Sequence, residues 1–454
     1  MHKNSKHALC PQRTTSGLLR TVVAGLATTA LVGTAATSVY ASTERRAQTP
    51  APITLTYWSW DTFAPTLAKM YEKTHPNVTI NVVNAGQGLA EYTKLRTAAL
   101  AHKGVPDIID MEFPEMRTFE TTNTLLDLSK YGVNSYAKQF IPWVWGQVSA
   151  SGDVYGIPLA TGQMGLLYRA DLLEKYGIAV PTTYAQFATA AAKFHAADPT
   201  GYLTDFGPTD YNAFMGLIWQ AGARPFKQTG KTSWTINLTS AAIQKVANYW
   251  AGLIANGSVA ADADYTTDWY QGMSSGKYAS WLVAAWGPYF LTSVAKNTSG
   301  RWRAGELPQW TAGAHISGNE GGGATVGYAG TKYPADVTSF LEFTVLNPQA
   351  AAYVAEDQFR FPVTYAEANK PAFLNQKVPF YGGQQVNRVF AKIAGGVDTS
   401  FQWAPFNDYV ASEFSNTVGT AFANKDTNIL PALRAWQTAV VSYAKNQGFT
   451  VSAG

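Results

Sequence analysis

From residue 53 onward the chain alternates between two hydrophobic periods. Ile53, Leu55 and Tyr57 recur every second residue and predict a strand with one buried face. Phe63, Leu67, Met70 and Tyr71 recur at helical spacing. They mark one face of a helix that stops at His75-Pro76, because the residue before a proline is pushed out of the helical region. Residues 78–83 predict a second strand, 89–102 a second helix and 106–110 a short buried third strand. Such alternation predicts parallel strands joined by right-handed crossovers, with helices on the faces. Open sheets of this kind bind ligands beyond the carboxyl ends of their strands. That directs attention to the loops 58–61, 85–88 and 111–114.

Beyond the Gly156-Ile-Pro-Leu-Ala160 stretch the pattern turns mainly helical. Asp171 is placed to cap a helix over 172–176 that Gly177 ends, and Thr183 to cap one over 184–195. Ile243, Val246, Ala247, Trp250, Leu253 and Ile254 predict an amphipathic helix closed by Asn256-Gly257. The glycine-rich run 318–323 interrupts the pattern. Helices are then expected at 334–346, at 348–358 and through most of 408–446. No repeat of solenoid period is present.

Composition narrows the class. The 454 residues suffice for two or three domains or one large two-lobed fold. With 46% apolar and only 14% charged residues, the chain has ample surface to bury and is not a disordered one. Trp 14, Tyr 24 and Phe 22 make a large aromatic supply that suits stacking on neutral ligands. The formal charge of +4 is carried by Lys3, Lys6, Arg13 and Arg20, with no acid before Glu44. The rest is neutral, so nucleic acid is not an expected partner, because it demands a basic face.

Those four cations precede a small-apolar stretch, 22–36, and Val39-Tyr40-Ala41 offers small residues at a cleavage site. An export signal over 1–41 is expected, followed by a polar linker over 42–51. A single membrane anchor is the competing reading of the same stretch. Cys10, the one cysteine, lies before the apolar core, where it does not make a lipid-anchoring signal; no Arg-Arg pair precedes the core, so the general secretion route is favoured. The exported chain would carry no thiol chemistry. It would reside in a periplasm or at a cell surface, as a monomer.

Signatures of catalysis are scarce. His75, His102, His195 and His315 are scattered, with no pair at metal-ligand spacing. Gly-x-Ser-x-Gly does not occur, and Gly321-Gly-Gly323 lacks the Gly-Lys-Ser/Thr of a phosphate loop. Acids gather at Asp107/Asp110/Glu112 and at Asp262/Asp264/Asp268, but nothing singles out a catalytic pair. No metal or cofactor is expected.

Several segments carry a family resemblance. Leu55-Thr-Tyr-Trp-Ser-Trp60, Tyr71-Glu-Lys-Thr-His-Pro-Asn-Val78, Gly104-Val-Pro-Asp-Ile-Ile109, Tyr155-Gly-Ile-Pro-Leu159, Gly165-Leu-Leu-Tyr-Arg-Ala-Asp-Leu-Leu173, Trp286-Gly-Pro-Tyr289 and the glycines 321–323 follow in that order. The chain resembles the extracellular solute-binding proteins of ABC importers, in the maltose- and oligosaccharide-binding branch. The resemblance implies a two-lobe, periplasmic-binding-protein-like α/β fold, with mixed sheets flanked by helices and a ligand cleft between lobes. It implies chain crossings near 160–164, 321–326 and 375–385. Lobe one would be 52–160 and 325–380, and lobe two 161–324 and 381–454. It further implies a sugar ligand captured by lobe closure and a membrane permease as partner.

A pyranose has apolar C–H faces for aromatic rings and a hydroxyl rim for carboxylates, amides and Arg. On that basis Trp60 is expected to stack, and Asp61 either meets hydroxyls or caps the next helix. Gln87 and Glu112 are hydroxyl partners or plain surface residues. Gln163 lies at a crossing, and Tyr211 falls where the family carries an aromatic contact. Trp286 and Tyr289 flank the Gly-Pro motif whose aromatic stacks on sugar in the family. Trp269 is a further loop candidate. Gly321 and Gly322 would bring backbone N–H groups near the ligand. Arg360 precedes Phe361-Pro362-Val363; the family's phosphate-ester binders place an Arg after Pro-Val, where Thr364 stands here. Trp58 is read as core, and Trp403 as core or site. The competing classes are a secreted glycan hydrolase and a binding protein for a phosphate ester, polyamine or peptide.

Overall fold

A computed structural model describes residues 51–454 except 151 and 359. The expected export signal and nearly all of the linker lie outside the described residues. Among the described residues, no helix is long and apolar enough to cross a membrane.

Among the described residues fourteen strands follow in chain order: β1 (Ile53–Trp58), β2 (Val78–Val83), β3 (Ile108–Glu112), β4 (Ser149–Ala150), β5 (Asp153–Val154), β6 (Ile157–Ala160), β7 (Met164–Arg169), β8 (Tyr202–Thr204), β9 (Phe226–Gly230), β10 (Ser233–Ile236), β11 (Tyr278–Ala284), β12 (Trp302–Glu306), β13 (Gly323–Gly327) and β14 (Thr450–Ala453). Two mixed sheets organise the molecule. The first has the order β2-β1-β3-β13-β6, and the second β12-β7-β11-β8. A small sheet, β14-β10-β9, stands beside them.

In the first sheet β1 runs parallel to β2 and to β3, as the alternating pattern predicts, while β13 runs antiparallel to β3 and β6. Leu55 and Tyr57 are fully buried on the inner face of β1. The helix Ala64–Glu72 buries Ala64, Leu67, Ala68 and Tyr71. It stops at Glu72, three residues before His75-Pro76. β3 runs two residues beyond the expected strand, and a helix over Phe113–Thr121 starts where a loop is expected. Pro114 sits in its first turn, where its missing N–H costs nothing.

The capping predictions divide. Thr183 caps Tyr184–Ala197 through a full capping box with Gln186. Asp171 does not cap: it lies inside the helix Ala170–Lys175 and is paired with Arg169, Oδ1 2.7 Å from its Nε. The amphipathic helix forms as Ala241–Ala255 and buries all six predicted residues. In place of one helix over 348–358, Pro348–Ala352 runs into a wider π-turn over Tyr353–Asp357.

The chain passes from the first sheet to the second at 161–163 and returns between 307 and 322. The two passages lie side by side. The Met164 N–H donates to the Gly318 carbonyl at 3.0 Å, and the Glu320 N–H to the Gly162 carbonyl at 2.8 Å. Glycine is required here by space: a Cβ on Gly162 would collide with the Glu320 carbonyl, and one on Gly318 with the Gly216 carbonyl.

Candidate functional site

Between the two sheets lies a cavity of about 680 Å³. That is within the roughly 300–1,000 Å³ range of small-molecule sites. One wall rises from the carboxyl ends of the first sheet: Trp60, Asp61 and Thr62 after β1, Gln87 after β2, and Asp110 to Glu112 at the end of β3. The other wall carries Asp210, Asn212, Tyr265, Tyr270, Trp286, Tyr289 and Phe290. The floor is the passage Glu320–Ala324, and Arg360 closes one side.

Nine of the twelve sequence-expected residues line this cavity: Trp60, Asp61, Gln87, Glu112, Trp286, Tyr289, Gly321, Gly322 and Arg360. The Asp61 carboxylate does not cap a helix. Arg360 Nη2 donates to its Oδ1 at 2.9 Å, and the helix Ala64–Glu72 has no side-chain cap. Trp286 is fixed by its indole N–H, which donates to the Glu320 carbonyl at 3.2 Å. Gly321 and Gly322 have φ of 66° and 75°, in the left-handed region open to glycine.

Three expected residues point elsewhere. Gln163 is fully buried, and its amide donates to the Phe390 carbonyl at 3.4 Å, which holds it in the core and away from the cavity. Tyr211 is buried; its hydroxyl donates to Asn407 Oδ1 at 2.7 Å and its ring packs among Trp403, Phe414 and Trp436. Its neighbours Asp210 and Asn212 face the cavity instead, because successive residues at a helix start point about 100° apart. Trp269 is buried on the inner face of Thr267–Ser275 beside Met273, with its indole N–H donating to Asp205 Oδ2 at 3.1 Å. Trp58 packs partly buried against the core, and Trp403 is core, bonded to Gln147 Oε1 at 2.8 Å.

The structure adds residues that the sequence pattern did not single out as site residues: Asp110, Asp210, Asn212, Tyr265, Tyr270, Phe290 and Glu320 among them. Asp110 accepts hydrogen bonds from Tyr57 at 2.7 Å, from Thr325 at 3.0 Å and from Ser59. Burial and then the nearby Asp61 charge push it up. Glu320 accepts from the Ala284 N–H at 3.1 Å and from the Tyr265 hydroxyl at 3.4 Å. Burial, then Asp210, push it well above the carboxylate range. Glu112 is raised by burial and steadied by the Tyr92 hydroxyl at 3.2 Å.

The chemistry of the lining is therefore six aromatic rings, five carboxyl groups and two side-chain amides. Arg360 is its one cation among the described residues, and Asp61 already neutralises it. Among the described residues, no cluster of His, Cys, Asp and Glu has the geometry of a metal site.

A two-lobed molecule with a ligand-sized cleft at the sheet ends defines a solute-binding protein, and the comparisons agree. The profile of the bacterial extracellular solute-binding proteins matches residues 57–352, and the chain belongs to that family. It is 26% identical over 288 residues to the lactose-binding protein of Rhizobium radiobacter, a match covering 59% of this chain and 64% of that protein's length. An arabinooligosaccharide-binding protein of Halalkalibacterium halodurans is 21% identical over 335 residues, covering 72% of this chain and 74% of its own. Among solved structures, the ABC-transporter-associated binding protein of B. animalis subsp. lactis in complex with beta-1,6-galactobiose superposes with a TM-score of 0.79 at 27% identity. That superposition covers 88% of this chain and 99% of the other.

Proposed function

We propose that this protein captures a neutral oligosaccharide in the cleft and delivers it to a membrane ABC permease, without chemical turnover. The observation that carries the reading is the lining itself. Flat rings from Trp60, Tyr265, Tyr270, Trp286, Tyr289 and Phe290 offer faces for the C–H side of sugar rings. Five carboxyl groups and two amides offer acceptors and donors for hydroxyls. An anionic ligand is disfavoured, because the one lining cation is committed to Asp61. The relatives' names support the sugar class, and their ABC-transporter setting supports the permease.

Export through the signal over 1–41, retention in a periplasm or at the cell surface, and a monomeric state belong to the same reading. So do the lobe boundaries, with 52–160 and 325–380 in lobe one and 161–324 and 381–454 in lobe two. Ligand touching both walls favours the closed arrangement, since only there are both sets of contacts made.

The test is thermal unfolding of the mature chain against mono- and oligosaccharides, with chromatography of the sugars afterwards. A ligand at a hundred times its dissociation constant adds about 2.7 kcal/mol and raises the midpoint by roughly 2 °C or more. A shift with intact sugar is expected. Sugar hydrolysed in the assay overturns the binding-only reading, and no shift with any sugar overturns the ligand class.

A further inference from the structure

We propose that Tyr265 sets the ligand specificity of the second wall, held for that purpose in a strained backbone conformation. The proposal rests on the carbohydrate-binding reading above and adds a specificity-determining residue to it.

The backbone is the first observation. Tyr265 has a φ of 57°. In that left-handed region a Cβ crowds the backbone, and a bulky residue there is an outlier. The chain has little freedom to relax. Upstream, the Asp262 N–H is bonded to Asp205 Oδ1 at 2.9 Å. Downstream, Thr266 caps the helix Thr267–Ser275 by accepting from the Trp269 N–H at 3.2 Å. Strain of this kind persists only where the surroundings impose it. The ring is only partly buried, packed against Trp269, Trp281 and Trp286. Tyr265 stays 39% exposed in the cleft, while its neighbours Trp269 and Trp281 are 2% and 7% exposed.

The hydroxyl is the second observation. It lies 3.3 Å from Asp210 Oδ2 and 3.4 Å from Glu320 Oε1. One hydrogen faces two acceptors, and both distances exceed the 2.7–2.8 Å typical of O–H···O bonds. Neither bond is fully made. A ligand hydroxyl seated between the three groups would receive the tyrosine hydrogen and donate its own to a carboxylate. The ring, 6.5 Å from Trp286 between centroids and tilted by 45°, extends the apolar surface toward the same ligand. The arrangement reads the position of a single hydroxyl on a sugar ring.

The test uses two variants, Tyr265→Phe and Tyr265→Asn, with disaccharide binding by calorimetry and ligand-free melting. The probes include lactose and cellobiose, which differ in one hydroxyl's orientation. Tyr265→Phe is expected to lose tenfold or more in affinity for the preferred sugar and to narrow the preference between epimers. Tyr265→Asn suits the left-handed backbone, so its ligand-free midpoint is expected not to fall while its affinity does. Unchanged affinity and epimer preference in Tyr265→Phe overturn the proposal, as does a lower ligand-free midpoint in Tyr265→Asn, which marks a packing residue. Wild type that binds no sugar removes the carbohydrate reading and this proposal together. Wild type that binds, with variants like it, removes only this one.

Discussion

Arg360 Nη2 stands 2.9 Å from Asp61 Oδ1, and the same guanidinium lies 5.8 Å from the ring centroid of Tyr289. Asp61 follows β1 of the first sheet, and Tyr289 sits in the helix that follows β11 of the second. One side chain thus touches both walls of the cleft. Burial pushes the Asp61 carboxyl up, and the Arg360 charge opposes that rise. Replacing Arg360 by Met would leave a largely buried carboxylate uncompensated. Arg360→Met is expected to lower sugar affinity tenfold or more and stability by on the order of 1–3 kcal/mol. Arg360→Lys should recover part of both, since a point charge replaces the planar fork. Calorimetric titration and denaturant unfolding measure the two effects.

Removing the aromatic faces should separate binding from folding. Trp60→Ala, Trp286→Ala and Tyr289→Ala each take away ring surface that is partly open to the cleft. Affinity is expected to fall tenfold or more in each, equivalent to about 1.4 kcal/mol, with a smaller change in the unfolding midpoint. Full wild-type affinity in all three would remove this cleft as the ligand site.

Glu91 makes a pH-dependent prediction. It is fully buried, and neither of its carboxyl oxygens has a hydrogen-bond partner. Burial first, and then the Asp110 charge, push it up to about 8. A carboxyl raised in the folded state binds its proton more tightly there than in the unfolded chain. Its ionisation therefore costs stability progressively from about pH 4.3, the unfolded value, up to about 8. Glu91→Gln should melt at a higher temperature than wild type at pH 8, and the gap should shrink as the pH falls toward 4.3. Melting curves at pH 5, 6.5 and 8 decide it; a constant gap would show that charge is not the cause.

The second passage between the sheets predicts a steric cost. A Cβ on Gly322 would stand 2.9 Å from the Phe113 ring and 3.1 Å from the Ala160 carbonyl, at a φ of 75°. At Gly321 the nearest atom, Trp286 Nε1, is 3.7 Å away. Gly322→Ala is expected to cost more than about 1 kcal/mol, and Gly321→Ala less. Equal unfolding midpoints for the two variants would contradict this reading of the floor.

Much of the architecture was legible because it is encoded locally. Leu55 and Tyr57 mark the period of β1, and the strand 78–83 forms over the span its pattern predicts. Ile243 through Ile254 mark the stripe of the helix Ala241–Ala255. Thr183 and Gln186 form a cap that needs only four residues. Trp60, Asp61, Gln87 and Glu112 were within reach because strand ends gather in one place in any parallel sheet, whatever the rest of the fold does.

What only the tertiary structure decided is the direction each side chain takes where distant segments meet. The sequence places Tyr211 and Trp269 near the cleft, but Asn407 and Asp205 draw them inward, 196 and 64 residues away along the chain. Asp110 and Glu320 carry no local mark of function; burial beside Thr325 and Ala284 makes them parts of the site. Tyr265 enters the cleft through a backbone turn that no hydrophobic period encodes. Periodicity reports which face of an element is apolar and turns toward the core. The lining of a cleft depends on long-range pairing, and only the folded chain brings those partners together.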